Sequence, residues 1–146
     1  MSQSLADDAV TTLAATITAW IADPVSDVVY AEWVEDRWAV RMRQQVREAT
    51  TVWFWMGQRS LIAEAYVLPP PDHTEPVYRQ ALFRNGRSFR AQFAVDVEGA
   101  IILRSRLPVD RVTSEELSYL LAEIYEAVEL SFKPMLEAGM QREKLP

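Results

Sequence analysis

The chain contains no cysteine. Disulfides, iron–sulfur clusters, thiolate zinc sites and a cysteine nucleophile are therefore excluded, and a reducing compartment fits. There is one histidine, His73, so no multi-histidine metal site can form. The four glycines, Gly57, Gly86, Gly99 and Gly139, lie far apart, and none belongs to a loop that cradles phosphate. No apolar run approaches the ~20 residues of a membrane span. The opening MSQSLADDAV is acidic and lacks the basic flank of a secretion signal. The expectation is a cytoplasmic protein with no membrane partner.

What is present fits a single domain over residues 1–146. Hydrophobic residues make up 49% of the chain, enough for a core. A chain of this length buries roughly 70% of its unfolded surface. The net charge of −6 argues against a phosphate-backbone binder, so no nucleic-acid partner is expected. Of the 15 basic residues only Lys133 and Lys144 are lysine. Arginine suits planar and stacked contacts, although a codon bias explains the same imbalance.

Apolar spacing predicts a helix over 5–22, capped by Ser4, with Asp7 and Asp8 in its first turn. Asp23-Pro24 ends it. Residues 25–33 read either as an extended approach or as a short edge strand. Strands are predicted at 38–43, 50–56 and 60–68, with a hairpin turn at Gly57-Gln58-Arg59 and a stop at Pro69-Pro70-Pro71. The middle strand has two apolar faces: Val52, Phe54 and Met56 on one, Trp53 and Trp55 on the other. A second helix is predicted from a Thr74 cap to Asn85-Gly86. Strands at 89–97 and 100–107 follow, joined at Glu98-Gly99. Thr113 and Glu116 form a capping box for a last helix that Pro134 ends or kinks. The polar tail after Gly139 is expected to fray. The order α-β-β-β-α-β-β-α implies an α+β domain with an antiparallel five-stranded sheet flanked by helices. The first helix occupies 4–22 and the core 35–140.

This order, with Trp38-Ala39-Val40-Arg41-Met42-Arg43, Thr50-Thr51-Val52-Trp53-Phe54, Gly57-Gln58-Arg59-Ser60-Leu61 and Glu64 to Pro71, resembles the YbjN-like family, in particular its actinobacterial branch. Phe93-Ala94-Val95, Ala100 to Leu103, Leu107-Pro108-Val109 and Glu115-Glu116-Leu117 continue the likeness. It spans roughly residues 35–140 and rests on the collinear set, with no single diagnostic motif. Met1 to Asp27 and the turn Asn85 to Arg90 match less closely. The resemblance implies a fold like that of class I type III secretion chaperones, small acidic proteins that commonly dimerise and bind an unfolded segment of a client. Family members are labelled sensory transduction regulators or peptide-binding chaperone-like domains, and no catalytic residues transfer.

The candidate chemistry is sparse. His73 stands in a loop beside Asp72, where a histidine is ordinarily solvated. Glu123 and Glu126 share a helical face and could in principle hold a hard cation, but such pairs are usually a solvated face. Arg41 and Arg43 share a strand face, and Glu64 is expected to pair with one of them; the other reading is a cationic rim around a groove for an acidic peptide. Trp53 and Trp55 cannot share a face with Phe54, so one aromatic row must be covered by a helix, a second subunit or a client. The reading is a non-enzymatic protein- or peptide-binding module, homodimeric and without cofactor. The residues assigned to binding are Trp53, Trp55, Arg41, Arg43 and Tyr66. Alternatives are a regulatory domain that senses a small ligand between helices and sheet, and a dimerisation module without a client.

Overall fold

The structure is a computed structural model that describes residues 2–140. Helix α1 (Ser2–Ala22) precedes four consecutive strands: β1 (Val28–Val34), β2 (Arg37–Arg43), β3 (Ala49–Met56) and β4 (Ser60–Leu68). Helix α2 (Thr74–Asn85), strands β5 (Gln92–Val95) and β6 (Ile101–Pro108), a 3-10 turn (Val109–Arg111) and helix α3 (Ser114–Gly139) follow. The strands form one antiparallel sheet in the order β1-β2-β3-β4-β6-β5. The α+β class and the antiparallel sheet agree with the sequence pattern; the sheet has six strands, with β1 added at the edge.

The hairpin that adds β1 turns on Glu35 and Asp36, both at positive φ (49° and 66°). Two left-handed residues between Val34 and Arg37 are what a two-residue hairpin turn requires, because that twist matches the strands. Carboxylate side chains in place of Asn-Gly hide the turn from a reading by residue type.

Strand periodicity and register together divide the sheet into two faces. On one, Val40, Met42, Val52, Phe54, Leu61, Ala63, Ala65, Leu103 and Leu107 join Leu13, Ile17, Val77, Leu117, Leu120, Ile124 and Val128 of the helices in a single core. Trp20 of α1 packs against Phe54 (ring centroids 6.4 Å apart) and donates from Nε1 to Ser118 Oγ of α3 at 3.1 Å. Burial on this scale, at about 25 cal/mol per Å² of apolar surface, is what holds the helices to the sheet.

Several predicted boundaries move. Helix α1 starts at Ser2, so Ser4 is inside the helix and does not cap it, and Asp7 and Asp8 fall beyond the first turn. His73, not Thr74, is the N-cap of α2, and its side chain makes no capping bond. Strand β5 covers 92–95 and not 89–97. Residues 89–91 are lost to the ladder because the side chain of Glu123 accepts their backbone N–H groups. Asp96 Oδ1 accepts from the N–H of Glu98 and Ala100, and Gly99 takes φ 93°, so the turn begins before Val97. Thr113 does cap α3, its Oγ1 accepting from Glu116 N at 3.0 Å. The Glu116 carboxylate goes to Arg90, so only half of the box forms.

Pro134 neither ends nor breaks α3, which continues to Gly139. A proline there leaves the carbonyl of Leu130 without its helical donor. Arg84 of α2 supplies one, donating from Nη2 at 3.1 Å. Strand β4 carries a bulge between Tyr66 and Leu68, which puts both Val67 and Leu68 in the interior. Arg47 donates to the Tyr66 and Val67 carbonyls at 2.8 and 2.7 Å and stacks over Phe132. The frayed tail expected after Gly139 falls on residues 141–146, outside the described residues.

Candidate functional site

All three helices pack on the core face of the sheet, and the opposite face has no helix over it among the described residues. Register defines that face. Ala39, Trp53, Glu64 and Arg104 stand in one cross-strand row; Thr51, Tyr66 and Ile102 lie on one side of it, and Arg37, Trp55, Ile62 and Arg106 on the other. Alternation along β3 forces this, since Val52 and Phe54 occupy the core. The second aromatic row therefore has no helix cover within the described residues. Ala39 and Ile102 are buried on this face yet stand apart from the main core.

The predicted binding residues divide. Trp53, Trp55, Tyr66 and Arg41 share the open face. Trp53 and Trp55 are half-buried, whereas Tyr66 is 50% exposed. Arg43 follows the same parity but sits at the end of β2, where its guanidinium donates to the Ser26 carbonyl at 3.3 Å and lies near Tyr125 of α3. It does not join the others.

The expected partnership of Glu64 with Arg41 or Arg43 is corrected. Glu64 accepts from Arg104 of the neighbouring β6, with Nε at 2.9 Å, because Glu64 and Arg104 are register partners. Arg41 has only a loose contact with the exposed Glu48, at 3.7 Å. Arg37, which the sequence reading did not single out, lies over the Trp53 ring with its guanidinium carbon 4.4 Å from the centroid. Arg106 makes no ion pair among the described residues. The signal for both was strand parity, which places them with Arg41 and Trp53. On β1, the Tyr30 hydroxyl is held above its ordinary range, chiefly by the charge of neighbouring Glu32.

A second exposed surface surrounds the C-terminal end of α2. Phe83 and Phe89 are 64% and 86% exposed, with Leu82, Leu130 and Val95 also exposed. Between α2, the 86–91 loop and α3 lies a cavity of about 330 Å³, floored by Phe93, Leu103 and Ala127 and rimmed by Arg84, Arg87 and Glu126. The loop is held by side-chain hydrogen bonds to its backbone. Glu123 Oε2 accepts from the N–H groups of Phe89, Arg90 and Ala91 at 3.2, 2.8 and 2.8 Å. Asn85 exchanges two hydrogen bonds with the backbone of Phe93. Glu123 thus serves the loop, not a cation shared with Glu126, and no cluster of potential metal ligands occurs among the described residues. His73 stands at the N-cap of α2, away from the open sheet face.

A family model described as YbjN, "Putative bacterial sensory transduction regulator", matches residues 14–137. An uncharacterised protein of Mycobacterium leprae is 34% identical over 106 residues, covering 72% of this chain and 58% of that protein. One of Mycobacterium tuberculosis is 32% identical over 87 residues, covering 59% of this chain and 48% of that protein. The chain thus spans about half the length of the curated relatives it matches. Among solved structures, a chain of the HopA1–SchA chaperone–effector complex covers 84% of this chain, and 91% of its own length, at 12% identity and a TM-score of 0.60. The Yersinia pestis type III secretion chaperone SycH, in complex with a fragment of YscM2, gives 80%, 97%, 14% and 0.54. The ExsC–ExsE complex gives 82%, 90%, 16% and 0.58. At these identities the likeness is one of fold.

Proposed function

The chain belongs to the YbjN family, and on that footing we propose that it acts as a non-enzymatic adaptor that binds a segment of a client protein, in the manner of a secretion chaperone. The observation that carries the reading is the uncovered sheet face with Trp53, Trp55 and Tyr66 on it. Aromatic side chains supply large contact area at low entropic cost, and they dominate binding hot spots. Fold neighbours solved as chaperone–effector and related complexes support a protein client. Binding would add a strand at a sheet edge or lay a client segment across the open face. Arg41 contributes to that face, whereas Arg43 serves the end of β2.

The adaptor is a homodimer in this reading. The exposed Leu82, Phe83 and Phe89 around α2 would form the apolar surface that receives a second copy. The site of action is the cytoplasm.

The test is a tagged pull-down from native lysate beside the Trp53→Ala/Trp55→Ala double variant. A protein retained by the wild type and lost by the still-folded variant is the expected result. Equal retention by both would remove the sheet face from the proposal.

One observation favours a second reading, a small-ligand sensor: the 330 Å³ cavity beside α2. It falls at the lower end of ligand-pocket sizes. A thermal-shift screen separates the two, since a ligand raises the melting temperature with its concentration above Kd. A client surface on the open sheet would ignore small metabolites.

A further inference from the structure

We infer that the segment received by the open sheet face is acidic. This rests on the adaptor reading and adds the chemistry of the client. The chain as a whole carries a net charge of −6, yet the open face has the opposite balance. Arg37, Arg41, Arg104 and Arg106 stand there against Glu32 and Glu64. Of the two glutamates, Glu64 is already engaged by Arg104, and Glu32 stands on the edge strand β1. Arg37 and Arg106 have no carboxylate partner among the described residues, and the nearest to Arg41 is 3.7 Å away on an exposed turn residue.

The placement of these cations is specific. Arg37 and Arg106 lie in the row of Trp55, and Arg41 lies across the row of Trp53, so the positive charge frames the aromatic centre. An arginine on a tryptophan face keeps its outer N–H groups free for a carboxylate while its plane packs on the ring. The guanidinium stays charged at every working pH. A segment that alternates apolar and acidic residues would set its apolar side chains on Trp53, Trp55 and Ile62 and its carboxylates on the arginines. A second copy of this face is a poor occupant, because self-docking brings together two surfaces of the same charge sign.

The experiment uses the full chain and fluorescence anisotropy. The probes are a short labelled peptide of leucine, tryptophan, serine and glutamate, and its twin with lysine at every glutamate position. The acidic peptide should bind tighter by on the order of tenfold at low salt, and added salt should narrow the gap. Arg37→Gln/Arg106→Gln should remove most of the discrimination, whereas Trp53→Ala/Trp55→Ala should weaken both peptides. Equal affinity, preference for the lysine peptide, or no binding of either would overturn the proposal. So would retention of a short oligouridylate in place of the acidic peptide, which would make the face a nucleic-acid platform. A pull-down that recovers clients without acidic preference removes this inference alone; an empty pull-down removes the adaptor reading beneath it.

Discussion

Two carboxylates of α3, Glu123 and Glu129, fasten two loops to the helix layer. Glu129 Oε2 accepts from Gln44 Nε2 at 2.6 Å and from the N–H groups of Gln45 and Val46 at 2.7 and 3.3 Å. Burial alone would raise its pKa, but these donors and the charge of Lys133 outweigh it and hold the group below the ordinary glutamate range. A carboxylate with a depressed folded pKa contributes stability that is present above its unfolded value and lost as pH falls through the folded one. Urea denaturation of wild type and Glu129→Gln should therefore show a stability gap at pH 7 that closes toward pH 3. A gap that is constant with pH would contradict this assignment. Glu123 serves three backbone N–H groups, and Glu123→Ala should cost about 2 kcal/mol. Faster amide exchange confined to residues 88–91 would report it. Neither role was legible in the sequence, where Glu123 reads as a solvated residue or half of a cation pair. Its partners lie more than thirty positions away, and helical spacing says nothing about which loop lands on a given turn.

At the scale of elements, the strands with strict alternation, β2, β3 and β4, were legible because one face had to enter the core. So were the stop at Pro69-Pro70-Pro71 and the start of α3. Three others were legible only in part, since an edge strand within 25–33 was one of two readings and β5 and α3 were expected with other bounds. Strand β1 depends on a left-handed Glu35-Asp36 turn that residue type does not announce. Strand β5 is short because α3 takes the N–H groups of residues 89–91. Helix α3 survives Pro134 because Arg84, from another helix, takes the orphaned Leu130 carbonyl. That last arrangement makes a double-mutant cycle informative. Arg84→Ala should cost about 1 kcal/mol in the wild type. In a Pro134→Ala background, where residue 134 has an N–H again, the same change should cost almost nothing. Equal costs in both backgrounds would show that Arg84 does not serve the proline site.

At the scale of the molecule, the sequence required that one of two aromatic rows on β3 be covered by something other than the core, and left open what covers it. Among the described residues the fold places all three helices on the Phe54 side and leaves the Trp53 and Trp55 side free of them. The apolar end of α2 was the part least visible in the sequence. Leu82 and Phe83 sit at spacings that suit a buried stripe, and only packing shows that Val77 and Ala81 take that place. If a second copy covers this end, Phe83→Ser/Phe89→Ser should shift sedimentation from dimer to monomer without lowering the stability of the monomer. A dimer unchanged by the pair would place self-association elsewhere.

The most direct test of the central claim is site-specific photo-crosslinking in cells at two tyrosines of equal exposure. Tyr66 lies on the open sheet face and Tyr119 on α3, each 50% exposed. A photoreactive phenylalanine analogue at position 66 should yield adducts with another protein, and the same analogue at position 119 should not. Adducts at 119 alone, or none at 66 from a folded protein, would contradict the account.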